Sequence, residues 1–171
     1  FNALYAAGGP TVKGSFRNIQ LFRGGKQIAE VDLYDFLLKG NTDKIIRLED
    51  NDVLLVSQYG KRVEIAGEVR RNLFFEVKEK ETLLNLIEMA NGYTNNAYRN
   101  ILTIQRSNGL DKSILNIYEK EQGTTKLFDG DYVIVGKAPN IYTNRIQIVS
   151  AVLREGDYEL TDNFRITDLL N

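Results

Sequence analysis

The sequence predicts an α+β protein assembled from tandem copies of one small module, each with a mixed sheet and one main helix. Three observations predict it. Apolar residues alternate with period two over short segments that come in pairs. One stretch of the repeat then switches to the period of a helix. The same order of segments returns along the 171 residues at an offset of roughly 80 positions, the mark of an internal repeat.

Residues 61–90 state the module most fully. Val63-Glu64-Ile65-Ala66-Gly67-Glu68-Val69 alternates, so one strand face is buried and the other wetted. Arg71-Asn72 suits a turn, and Phe75 and Val77 flank Glu76 as inward residues of a returning strand. Leu83, Leu86, Ile87 and Ala90 then recur at i, i+3, i+4 and i+7, with Thr82 as N-cap and Asn91-Gly92 tolerant of the left-handed conformation that ends a helix.

Residues 1–60 carry the later elements of an earlier copy. An apolar helical fragment, 1–7, is stopped by Gly8-Gly9-Pro10. Ile19-Gln20-Leu21-Phe22 reads as a strand, Arg23-Gly24-Gly25-Lys26 as a hairpin turn and 27–31 as its partner. The strand flanks on both sides rule out a phosphate loop, which requires a strand and a helix. Asp32 caps a short helix over 33–38 that Gly40 ends, and Val53-Leu54-Leu55-Val56 has the apolar character of a strand at a sheet centre.

After residue 98 the succession returns. Strands are expected from Ile101 to Gln105 and from Ile114 to Tyr118, and Leu127-Phe128-Asp129-Gly130-Asp131 leads into Tyr132-Val133-Ile134-Val135. Ala7-Gly8-Gly9 precedes Ala90-Asn91-Gly92 by 83 positions, Arg17-Asn18-Ile19 precedes Arg99-Asn100-Ile101 by 82, and Val56 precedes Val135 by 79. Arg145-Ile146-Gln147-Ile148 and Tyr158-Glu159-Leu160 each follow their counterparts by 83. Residues 61–138 therefore read as a complete module, 1–60 as the C-terminal half of one, and 141–171 as the N-terminal half of a further one. An opening hairpin, a helix and then the remaining strands is a β-grasp-like order. The chain opens Phe-Asn-Ala-Leu-Tyr, without an initiator Met or a charged-then-apolar leader, which predicts a piece of something longer. Neither half-module closes a core alone. The apolar set Ile146, Ile148, Val152, Tyr158, Leu160, Ile166, Leu169 and Leu170 predicts that the C-terminal half pairs with an N-terminal half, in the same chain or in another copy.

Composition removes several function classes. Lys+Arg and Asp+Glu stand at 22 and 23, with no basic segment, which argues against phosphate-driven nucleic-acid binding. No apolar run reaches the roughly 18 residues of a membrane span. Cysteine and histidine are absent, so there are no disulfides, no thiolate metal sites and no imidazole proton shuttle. No cofactor and no catalytic residue is expected. Glu64, Glu68 and Glu76 alternate with apolar residues and read as a solvated strand face rather than as glycosidase carboxylates. Asp50-Asn51-Asp52 and Asp129-Gly130-Asp131 read as turns before strands, since the full calcium loop with its distal Glu is missing.

The alternating stretches at 63–69 with 75–77, and at 148–160, resemble the V-x-G-x-V-x-x-P-G-x-Y-x-L opening of soluble ligand-binding β-grasp (SLBB) domains. The Ala-Gly-Gly helix stop, the Arg-Asn-Ile strand entry and the Leu-x-Asp-Gly-Asp-x-Val-x-Val ending resemble the same family. The departures fall in the hairpin turns: Ser150 stands for the family's glycine, Glu155 and Asn72 for its proline, and Leu73 for its second glycine. Tandem copies of this kind resemble polysaccharide export proteins of Gram-negative outer membranes. The resemblance implies a non-catalytic module on the periplasmic face of that membrane, stacked in a ring with other copies of itself and contacting capsular or exopolysaccharide. The alternative is a β-grasp ligand-binding or docking module of another envelope or redox complex.

The helix-to-strand loop is the candidate binding surface. Tyr93, Asn95, Asn96, Tyr98 and Arg99 combine flat apolar rings with several donors, a set suited to sugar hydroxyls. Arg17 joins them through the recurrence of Arg-Asn-Ile.

Overall fold

The computed structural model describes residues 2–41, 46–162 and 165. In chain order the elements are α1 (Asn2–Ala6), β1 (Gly14–Arg23), β2 (Lys26–Val31), α2 (Leu33–Leu37), β3 (Val53–Gln58), β4 (Lys61–Gly67), β5 (Leu73–Val77), α3 (Leu83–Met89), β6 (Ala97–Ser107), β7 (Lys112–Tyr118), β8 (Tyr132–Lys137), β9 (Arg145–Ile148) and β10 (Gly156–Glu159). This is the mixed α+β architecture expected of β-grasp-like modules. The chain divides into two compact units, residues 1–138 and 139–171.

The middle module is a five-stranded sheet in the order β5-β4-β8-β6-β7. Its hairpin pairs Val63 with Phe75, and β4 then pairs parallel with β8, Ile65 facing Val133. Period-two alternation sends Val63, Ile65, Leu102, Ile104, Val133 and Val135 to one face, where all are at most 1% exposed. That face is covered by α3. Leu83, Leu86, Ile87 and Ala90 form its inner stripe, and each large side chain so buried contributes about 1.5–3 kcal/mol. The Thr82 N–H donates to Asn85 Oδ1 at the start of the helix, and Asn91 at φ +64° turns the chain away at its end.

Gly67 closes the parallel pairing. At φ +93° it lies so near the β8 backbone that a Cβ there would stand 2.1 Å from the Val135 carbonyl oxygen, so only glycine allows β4 and β8 to meet.

The N-terminal half-module repeats part of this sheet, in the order β2-β1-β3. Ile19 faces Val56 and Leu21 faces Leu54, as Leu102 faces Val135 and Ile104 faces Val133. Where the middle module has only a single 3-10 turn after β7, Glu119–Glu121, this half has α2, capped by the Asp32 carboxylate accepting from the Tyr34 N–H.

Residues 139–171 contain the antiparallel β9–β10 hairpin, with Ile146 opposite Tyr158. The expected apolar positions Ile166, Leu169 and Leu170 lie outside the described residues.

Candidate functional site

The loop from α3 to β6 is pinned at its base and open at its tip. Thr94 N–H donates to the Glu68 carbonyl at 3.0 Å, its hydroxyl donates to the Glu68 carboxylate, and Ala138 N–H donates to the Asn96 carbonyl at 2.7 Å. Tyr93 is half-buried. Its hydroxyl donates to Gln122 Oε1 at 2.8 Å while Gln122 Nε2 donates to the Arg99 carbonyl at 3.2 Å, and burial pushes the phenol up from its ordinary value. The Arg99 guanidinium lies 5.3 Å from the Tyr93 ring centroid, a cation–π contact that holds both side chains in place. Asn95, Asn96, Tyr98 and Arg99 are exposed, and the side chains of Asn95, Asn96 and Tyr98 make no hydrogen bond to any other described residue. The result is a fixed backbone presenting amide, phenol and guanidinium groups outward. Such a surface suits a polyhydroxylated ligand.

The structure does not bring Arg17 to this loop. Strand pairing shows why. Gly14 faces Gln58 and Ala97 faces Lys137, and Ile19 and Leu102 face Val56 and Val135, with the same irregularity between. The equivalence here is therefore 83 positions rather than 82, and Arg17 corresponds to Asn100, while Arg99 corresponds to Phe16. A slip of one residue reverses the face. Ser15, Arg17, Ile19 and Leu21 all point inward, whereas Arg99 points to solvent.

Arg17 instead latches the two modules of residues 1–138 together. Its Nη1 and Nη2 donate to the two Glu81 carboxylate oxygens at 2.6 Å each, and Nε and Nη2 reach Asp32 Oδ2 at 3.1 and 3.0 Å. Nη1 also donates to the Glu76 carbonyl at 2.8 Å, and the guanidinium lies 4.7 Å from the Tyr34 ring centroid. Burial alone would weaken the charge of Arg17 and raise the pKa of Asp32. The hydrogen bonds with Glu81 and Asp32 outweigh it for the arginine, and those from Arg17 and Lys78 hold the Asp32 carboxyl below its ordinary value. Glu76 belongs to the same cluster, which corrects its placement on a solvated strand face. It is 8% exposed, accepting from Ser15 Oγ at 2.6 Å and from the Phe16 N–H at 2.7 Å. A polar recess of about 610 Å³ opens beside this latch, lined among others by Asn18, Glu30, Gln58, Lys61 and Lys78.

Sequence reading missed a second arginine device that occurs in both modules. Arg106 Nε and Nη2 donate to the Asp131 carboxylate at 2.8 Å each, and the same carboxylate accepts from the Phe128 N–H. At the equivalent positions Arg23 donates to Asp52 at 2.8 and 2.9 Å, and Asp52 accepts from the Glu49 N–H. The hydrogen bonds from Arg23, and then the one from Glu49, hold the Asp52 carboxyl down at about 2. Asn51 and Gly130 take positive φ in the same turn position. The acidic turns thus face an arginine fork across the sheet. The signal was present in the recurrence of both residues in the repeat, Arg23 at Arg106 and Asp52 at Asp131, although their spacings differ, 29 and 25 residues.

Comparison with known families gives one match. A description of the SLBB domain fits residues 1–31 and 62–111, which cover α1, β1, β2, most of the β4–β5 hairpin, α3 and β6. Over those two stretches the chain is thus similar to the SLBB domain, in keeping with its β-grasp-like architecture. No curated protein matches it.

Proposed function

We propose that this chain is a non-catalytic, glycan-contacting segment of a polysaccharide export protein of the Gram-negative outer membrane. In this reading its modules stack on the periplasmic side, and the ring of copies surrounds the path of a capsular or exopolysaccharide. The observation that carries the reading is a division of labour between corresponding segments, the entries to β1 and β6. The N-terminal module buries Arg17 in a latch that fixes one module on the next, while the middle module leaves Asn95, Asn96, Tyr98 and Arg99 outward on a pinned loop. Stacking requires rigid module joints. Contact with a moving glycan requires exposed rings and donors without deep enclosure, since a tight pocket would hold the polymer.

The test is binding of the purified chain to an array of bacterial capsular and exopolysaccharide fragments, beside Tyr98→Ala and Arg99→Ala. Retention of one glycan class by the wild type, reduced at least fivefold in either variant, supports the reading. No retention of any glycan, or equal retention by both variants, contradicts it.

A further inference from the structure

The turn after β4, the α3–β6 loop and the end of β8 meet at one end of the middle module, and each brings a cation. Val69 is buried and bridges to Tyr93, which lays the β4–β5 turn against the loop, and the Arg70 N–H donates to the Gly92 carbonyl at 3.0 Å. With Val69 turned inward, Arg70 and Arg71 are left outside. On the other flank Lys137, the last residue of β8, pairs with Ala97, and Arg99 follows two residues later on β6. Arg70, Arg71, Arg99 and Lys137 are all exposed.

These four differ from the arginines that hold the fold together. Arg17, Arg23 and Arg106 each grip a carboxylate. Among the described residues the side chains of Arg70, Arg71 and Lys137 have no hydrogen-bond or ion-pair partner, and the Arg99 guanidinium has only the Tyr93 ring. The carboxylates coupled to the loop are Glu68, which accepts from the Thr94 hydroxyl, and Glu119, whose charge reaches the Tyr93 phenol more weakly than burial and the Gln122 hydrogen bond act on it. Four cations against two carboxylates leave this surface positive. The sequence shows no basic run here because strand pairing, not chain order, gathers the charges.

We propose, on the reading of this loop as a glycan-contacting surface, that the glycan it takes is acidic, a polysaccharide whose sugars carry carboxylates. A planar guanidinium fork matches a carboxylate, and the Tyr93 ring fixes the plane of Arg99 while Arg70 and Arg71 stand beside it. Asn95, Asn96 and Tyr98 supply the donors and acceptors for sugar hydroxyls that a bare polyanion lacks. Each exposed charge pair contributes little and is screened by salt, so the hold on any one sugar is weak and reversible, as a moving polymer requires.

The experiment measures retention of the full chain on immobilised polygalacturonate, on its methyl ester, in which the same sugars are uncharged, and on polyglutamate and single-stranded DNA, over a salt series. The chain holds polygalacturonate more tightly than the ester, the difference shrinks as salt rises, and neither of the other polyanions matches it. Arg70→Gln combined with Arg71→Gln weakens the hold on polygalacturonate about fivefold, towards that on the ester. The charge-matched control, Lys26→Gln in the β1–β2 turn combined with Lys112→Gln at the far end of β6, changes nothing. Equal retention of polygalacturonate and its ester overturns the acidic class and leaves glycan contact standing, whereas retention of neither overturns the glycan reading and this proposal with it. Polyglutamate or DNA held as tightly as polygalacturonate, or a control variant that loses as much as the arginine variant, also overturns the proposal.

Discussion

Replacing Arg17 by Met tests the latch between modules. Methionine keeps the apolar stem and removes the guanidinium, and with it the paired hydrogen bonds to Glu81 and Asp32 and the bond to the Glu76 carbonyl. The arginine side chain is 9% exposed and its two carboxylate partners 11% and 21%, so the charges left behind are poorly hydrated. Breaking a buried pair from one side costs about 3–5 kcal/mol. Asp32 keeps Lys78 at 2.8 Å, and Glu81 keeps the Lys78 N–H, which places the loss at the lower end, near 3 kcal/mol. For a unit of this size that lowers Tm by roughly 10 °C. The assay is thermal and urea unfolding of wild type and variant across pH. Because the folded-state pKa of Asp32 lies below its unfolded value, the latch stabilises fully above about pH 4 and is lost as pH falls through the folded pKa. The variant therefore differs most from wild type at neutral pH and least in acid. A variant that melts within a degree of wild type at pH 7, or keeps the same acid sensitivity, refutes the reasoning.

Asp131→Ala strands the Arg106 fork and the Phe128 N–H and costs the middle module about 3 kcal/mol in denaturant unfolding, with β6 and β8 amides losing protection together. Gly67→Ala forces the β4–β8 contact apart; it lowers stability by more than about 2 kcal/mol, and the exchange of Glu68 N–H, which donates to the Val135 carbonyl, accelerates. Tyr98→Ala changes stability by less than about 0.5 kcal/mol, because the side chain is exposed and lacks described partners. Carboxyl titration followed by NMR finds Asp52 near 2 in the wild type. In Arg23→Ala it moves up towards an ordinary aspartate, about 3.9.

Much of the fold was legible because the module writes its periodicities plainly. The alternation at 63–69 and the helical stripe of Leu83, Leu86, Ile87 and Ala90 each specify one face, and burial needs only that face. The β3 segment Val53-Leu54-Leu55-Val56 read as a strand at a sheet centre, but among the described residues it is the edge of its three-stranded sheet, with Val53 and Leu55 exposed, because only its counterpart β8 has a neighbour on both sides. What escaped sequence reading was decided by long-range partners. Glu76 looks like any outward glutamate until β1 docks against β5 and covers it. Arg17 aligned with Arg99 by three matching letters, yet strand pairing shifts the comparison by one residue and reverses the side to which each points. The loop at 93–99 stood out by composition, but its pinning by Glu68, Gln122 and Ala138 involves residues distant in sequence.

The most direct measurement is an amide-shift titration of the full chain with the glycan that the array selects. Glycan contact at the α3–β6 loop predicts saturable shifts concentrated at Asn95, Asn96, Tyr98, Arg99 and Asn100, with no new sugar reducing ends after prolonged incubation. Shifts that spare this loop, or cleavage of the glycan, would contradict the account.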